Sequence, residues 1–146
     1  MTINAAIIAD STNISGSRLT TLELEYPRFI HGEFMTHRMF SRNAASSRAI
    51  PVAKMHEHIS KTPAMPIYWG LNRPGMSAAD ELENVADAVD LWNRAKDSAI
   101  KYAEKLSKLG LHKQVTNRVT EPYQTMKVVV TATEFGNFFE LRNHSD

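Results

Sequence analysis

The chain has no cysteine. That excludes disulfides, thiolate metal centres and a thiolate nucleophile, and it fits a protein of a reducing, intracellular compartment. Long apolar runs are missing too. Nothing approaches the ~20 residues that cross a bilayer, so no membrane association is expected, and no signal peptide precedes the first predicted strand. Charge of one sign is also not in excess. Seventeen Lys and Arg against sixteen Asp and Glu give a net charge of +1, too small for a global field that gathers nucleic acid. What remains is 146 residues with 42% apolar content, enough for one domain, 1–146, with a modest core.

The positive charge is local. Arg28, Arg38, Arg42 and Arg48 have only Glu33 among them. Between Thr36 and Arg48, three arginines, a histidine, three serines and an asparagine gather within thirteen positions. Guanidinium forks with short hydroxyls and amides between them match the oxygens of a phosphate-bearing ligand. Each such contact contributes about 1.5–3 kcal/mol when partly dry. A polar loop with solvated arginines is the other reading of the same composition.

The pattern along the chain predicts an α/β (α+β) fold, a mixed sheet flanked by helices with one long helix. Asn4 to Ala9 reads as a first strand, followed by a turn through Ser11–Asn13 and Ser15–Ser17. Leu22, Leu24 and Tyr26 alternate with Glu23 and Glu25, the period of a half-buried strand. Pro27 is suited to open a helix with Ile30 and Phe34 on one face, which leaves the basic motif in a loop at its end. Pro51 to Ile59 predicts a short helix with Val52, Met55 and Ile59 inward. Residues 62–77, rich in Pro and Gly, form a long connection and a candidate lid.

Ser77 with Asp80 three residues on has the form of a capping box, and Gly110 is a natural stop. Between them Val85, Val89, Trp92, Ala99, Ala103 and Leu106 recur at helical spacing. Glu81, Glu83, Asp87, Lys96, Lys101 and Lys108 are expected on the solvated face. Leu111, Val115 and Val119 mark a further helix carrying Arg118. Met126 to Thr133, with Val128, Val129 and Val130, predicts a buried strand. Glu134 to Asn137 then turns into Phe138, Phe139, Glu140, Leu141 and Arg142. Taken singly, Arg118, Asn137 and Arg142 read as structural or solvated.

The spacing of the basic motif resembles the signature of flavin-dependent thymidylate synthases, R-H-R-x-x-S-x-N-x-x-S-x-R. His37, Arg38, Ser41, Asn43, Ser46 and Arg48 match it, and Thr36 stands in place of the first arginine. The segment from Tyr26 to Val52 looks like the phage and bacterial branch of that family, and the likeness extends over nearly the whole chain. It implies an enzyme that methylates dUMP reductively to dTMP. FAD is its cofactor, NADPH its reductant and methylenetetrahydrofolate the source of the carbon. A reduced flavin would replace the cysteine thiolate on which other thymidylate synthases rely, in keeping with the missing cysteine.

The resemblance also implies roles. Thr36, His37, Arg38, Asn43 and Asn137 would contact FAD. Glu33, Ser46, Ser47, Arg48, Arg118 and Arg142 would hold the nucleotide, with Ser46 and Arg142 at the catalytic centre. Glu33 stands where the better-known branch has a glutamine, Ala44 where it has a glutamate, and Ala49 where it has a tyrosine. Members of that family are homotetramers with sites shared between subunits, and the likeness to its phage and bacterial branch implies a cytoplasmic protein of a bacterium or phage-infected cell. Their chains continue past the position of Asp146 with Ala-Gln-x-Glu-Ile and a helical region. By that implication, these 146 residues alone bind flavin weakly or not at all.

Two other classes compete. A non-catalytic nucleotide- or nucleic-acid-binding module would use the 28–48 arginine cluster against phosphates. Near-neutral charge and the lack of interleaved aromatics weigh against nucleic acid. A metal-dependent hydrolase would use His31, His37, His56 and His58, but no pair has zinc-motif spacing, so no metal is expected and these histidines are placed at the surface.

Overall fold

The computed structural model describes residues 3–75, 78 and 80–143. Strand β1 (Asn4–Thr12) and strand β2 (Arg18–Pro27) form an antiparallel hairpin. β1 runs three residues further than the sequence indicated, so the turn occupies only Asn13–Ser17. There the Asn13 side chain accepts from the Ser17 N–H at 2.8 Å. Gly16 adopts φ +81°, a backbone angle that a side chain would strain.

Strand β4 (Thr125–Ala132) pairs antiparallel with β2, and a short strand β3 (Ser41–Ala44) pairs antiparallel with β4. The order is β1-β2-β4-β3. The α+β class is as expected, but every pairing is antiparallel where a mixed sheet was predicted. The helices between β2 and β4 bring the chain back beside the end of β2, with Thr125 opposite Pro27, so β4 runs back against it.

Leu22, Leu24 and Tyr26 lie opposite Val130, Val128 and Met126 on one face. Val128 and Val130 are fully buried there, and Phe34, Phe40, Phe135 and Phe138 pack over them. The other face is polar, with Thr21 and Thr131 hydroxyls 2.9 Å apart and Lys127 3.2 Å from Glu23. Alternation with period two thus separates the core face of β4 from its polar face, whereas residues 20–25 of β2 are half-buried on both sides.

Pro27 ends β2 instead of opening a long helix. A 3-10 turn, Arg28–Ile30, and a single helical turn, α1 (His31–Phe34), follow. Ile30 is 41% exposed while Phe34 packs inward, so the two do not share a buried face. Helix α2 (Val52–Lys61) buries Met55 and Ile59 as predicted, with Val52 half-buried.

The long helix α3 (Val85–Lys108) begins later than the Ser77 signal implied; Ser77 itself lies outside the described residues. Its cap is Asn84, whose side chain accepts from the Asp87 N–H at 3.3 Å and donates back to the Asp87 carboxylate. Glu81 and Glu83 precede the helix, and Glu81 bridges to Gly70. Lys96, assigned to the solvated face, is only 11% exposed along its side chain and lies against Asp97 and Asn93. Gly110, at φ +85°, stops the helix as expected.

Helix α4 (Lys113–Thr116) and a 3-10 segment, Asn117–Tyr123, reverse the expected face. Leu111, Val115 and Val119 are exposed, whereas Thr116, Asn117, Thr120 and Gln124 are buried. The buried face is polar because it carries hydrogen bonds to backbone carbonyls. A last short helix, α5 (Gly136–Arg142), follows β4. No helix among the described residues is long and apolar enough to cross a membrane.

Candidate nucleotide-binding cleft

After α1, Thr36 and His37 close a tight turn, with Thr36 donating through N–H and hydroxyl to the Glu33 carbonyl at 3.2 and 2.6 Å. The turn drives Phe40 into the core, where it is 7% exposed. His37 is thereby lodged between Phe40, 5.9 Å away and stacked, and Phe138, 4.9 Å away and edge-on. From the opposite wall, Arg142 Nε lies 3.3 Å from His37 Nε2 and donates to it across 105 residues of sequence. Accepting there leaves the proton of a neutral His37 on Nδ1.

These groups border a cleft of about 400 Å³, within the ~300–1,000 Å³ range of small-molecule sites. Thr36, His37 and Arg38 form one wall; Asn137, Phe138 and Arg142 form the other. Two guanidinium groups face one carboxylate, Glu134, so the cleft favours an anion. Its apolar surface comes from Met39, Phe40, Phe138 and Leu141, which suits a flat ring.

The remaining predicted residues lie elsewhere. Ser41–Ala44, placed in a loop from the sequence, is a strand, because its backbone completes the edge of β4. Asn43 therefore lies opposite Val129 on the polar face, away from the cleft, and Arg42 on the core face donates to the Phe34 carbonyl at 3.3 Å. Ser46 and Arg48 are exposed on the turn after β3, while Ser47 is 8% exposed. Glu33 is exposed. Arg118 sits 3.8 Å from Glu121, which also binds Arg28 at 3.0 Å. The cleft thus joins Thr36, His37, Arg38, Asn137 and Arg142, but not Glu33, Asn43, Ser46, Ser47, Arg48 or Arg118.

The four histidines proposed for a metal face different partners. His31 Nδ1 lies 2.8 Å from the Tyr26 hydroxyl, and His58 Nε2 lies 2.8 Å from the Thr125 hydroxyl. His56, placed at the surface from the sequence, is 7% exposed; its Nδ1 lies 3.9 Å from Glu104 and its buried Nε2 has no partner. Burial, with the charges of Arg28 and Arg42, holds the His31 pKa below its ordinary value. Burial pushes Tyr26 up to about 12 against the opposing charge of Arg42. The Tyr26–His31 pair therefore favours its neutral form, and its hydrogen bond ties β2 to α1.

Glu134 and Phe138 were not singled out from the sequence, although both line the cleft. The available signal was the spacing of Asn137 with Leu141 and of Phe138 with Arg142, four apart in each pair, which sets all four on one side of the same helix.

No protein-family profile matches the chain, and neither does any curated protein. Among solved structures it is similar to a UMP/dUMP methylase PolB from Streptomyces cacaoi. For the form bound with 5-Br dUMP, the TM-score is 0.60 at 15% identity, over 79% of this chain and 49% of that one. For the form bound with 5-Br UMP, it is 0.67 at 14% identity, over 90% and 71%. The chain thus spans about half of the first structure's length. At such identity the likeness is one of fold, and the chain has that α+β fold.

Proposed function

We propose that the chain methylates a uracil nucleotide, and in its finer form that it is an FAD-dependent thymidylate synthase converting dUMP to dTMP. Methylenetetrahydrofolate and NADPH are its co-substrates. One observation carries the reading: His37 and Arg38 of the signature meet Asn137 and Arg142, about a hundred positions away, in a single cleft. The fold shared with a UMP/dUMP methylase supports it independently of the signature.

The cleft fits part of a flavin nucleotide. Its aromatic and aliphatic walls suit a ring system, and its guanidinium and amide donors suit carbonyls or phosphate. Thr36, His37, Arg38 and Asn137 would hold FAD, which when bound supplies the hydride chemistry. Arg142 would polarise the uracil, and its bond to His37 fixes the guanidinium before the ligand arrives. Ser46, Ser47, Arg48 and Arg118 would neutralise and orient the nucleotide, with Glu33 beside it.

Those groups lie outside the cleft of their own chain, which supports a homotetramer whose sites draw on several copies; Asn43 would reach FAD in the same way. Exposed apolar groups on β1 and α5 offer the contact surface: Ile7 is 64% exposed, Ile8 54% and Phe139 56%. The protein would then work in the cytoplasm of a bacterium or phage-infected cell.

The test is a visible absorption spectrum after gel filtration with FAD, then with dUMP added. A retained flavin band that shifts with dUMP supports the reading. Full nucleotide binding without any retained flavin, by these 146 residues and by a longer form of the chain, removes the cofactor part, and binding of neither by both forms overturns the whole.

A further inference from the structure

The turn that carries Ser46, Ser47 and Arg48 has little packing beneath it. Ala45, Ser46, Arg48 and Ala49 are exposed. Behind it lies a cavity of about 230 Å³ bordered by Ser47, Ile50, Met55 and Gln124. Its internal bonds, from Ala49 N–H to the Ser46 carbonyl at 3.0 Å and from Arg48 N–H to Ser46 Oγ at 3.3 Å, close the turn on itself. Its start is tied to β4 by Ala45 N–H donating to the Lys127 carbonyl at 2.9 Å.

Its far side is tied by one side chain. Asn117 Nδ2 donates to the Ser47 carbonyl at 2.9 Å and to the Ile50 carbonyl at 3.0 Å, seventy and sixty-seven residues away in sequence. The two carbonyls bracket Arg48. Asn117 is fully buried, and its Oδ1 has no partner. The amide orientation is nonetheless forced, because the flipped form would set an oxygen against both carbonyls. Asn117 is itself held, since Gln124 Nε2 and Thr120 Oγ1 donate to its carbonyl at 2.8 and 3.1 Å. No apolar pattern marks it, and an unsatisfied buried acceptor is retained at this position.

We propose that Asn117 is the positioning residue of the nucleotide-binding turn. Its two bonds fix the backbone on either side of Arg48 and thereby aim Ser46 and Arg48 at the ligand. The proposal deepens the reading of 46–48 as a nucleotide site and rests on it. Without the bonds the turn samples other conformers, and affinity falls in proportion to the competent fraction.

The test compares Asn117→Leu and Asn117→Ser with Thr116→Val. Thr116 is equally buried in the same segment, and its hydroxyl donates to the Leu111 and His112 carbonyls without touching the turn. All three changes lower stability, but only the Asn117 changes free the turn. Calorimetric titration with dUMP below the melting range should show a loss of about tenfold or more for Asn117→Leu and Asn117→Ser, against less than about twofold for Thr116→Val. Equal losses across the three would overturn the proposal.

Amide exchange at residues 45–50 provides a readout that needs no ligand. Faster exchange there in the Asn117 variants, and not in Thr116→Val, supports positioning; unchanged exchange refutes it. If wild type binds no dUMP, the nucleotide reading fails while exchange still decides the role of Asn117. If the variants do not fold, wild-type exchange decides: opening of 45–50 together with 113–123 supports the tie, and independent opening sinks it.

Discussion

Replacing Phe138 with alanine should undock the helix that carries half of the cleft. α5 has seven residues, none of them buried. A helix so short does not persist on its own in water. Phe135 and Phe138 pack against the buried cluster on the sheet and hold α5 in place. Phe138 also contacts Phe34 at 6.2 Å, Phe40 at 5.4 Å and His37 at 4.9 Å between ring centroids.

Truncating a fully buried Phe to Ala costs ~3–5 kcal/mol. Phe138 is half-buried, so about half of that, ~2 kcal/mol, is the expected loss. For a chain of this length that corresponds to a drop of roughly 4–8 °C in Tm if α5 melts with the domain. If α5 opens locally instead, the drop is smaller and amide exchange over 136–143 rises by about thirtyfold. In the local case Asn137 and Arg142 leave the cleft in the open fraction, and any FAD affinity falls in proportion to the docked fraction that remains. Thermal melts and exchange on both proteins give the answer. An unchanged Tm with unchanged protection of 136–143 would refute the account of how this wall is held.

Arg38→Ala and Arg142→Ala remove exposed side chains, so both proteins should melt within about 2 °C of wild type while losing retained flavin and the dUMP-induced spectral shift; retention of both would remove these arginines from the site. Stability should fall as pH drops from 7.5 to 5.5, because His31 and His56 have folded-state pKa values below their ordinary 6.5. Their contribution is complete above 6.5 and lost as pH falls through 6.5 toward the folded values, since the unfolded chain binds the proton first. A urea midpoint that is equal or higher at pH 5.5 would contradict this. Asn84→Ala should remove the cap of α3 at a cost of ~0.5–2 kcal/mol, read as a shift in the same midpoint at unchanged slope; no shift would show that α3 is held by packing alone.

Local patterns carried much of this fold. The alternation in 22–26 and the β-branched run at 128–130 placed β2 and β4, and periodic apolar residues with Gly110 placed most of α3. The start of α3 was also written locally, as Asn84 with Asp87, but Ser77 with Asp80 offers the same spacing, and only packing separates the two. The reversed face of 111–124 was not legible. Apolar spacing points Leu111, Val115 and Val119 inward, yet the partners waiting inside are carbonyls, including those of Ser47 and Ile50, and they select Asn117.

The residues of the proposed site were picked out by spacing alone, a resemblance that is read within a few positions of sequence. Their distribution in space was decided elsewhere. Pairing of Ser41–Ala44 with β4 turned Asn43 away from the cleft, and docking of α5 by its phenylalanines brought Arg142 to His37. Sequence alone determined where β2, β4 and most of α3 form and which side chains the proposed chemistry calls on, since both follow from neighbours a few residues apart. Tertiary structure decided which of those side chains meet, because strand pairing and aromatic packing join segments roughly a hundred residues distant, and no local pattern encodes that contact.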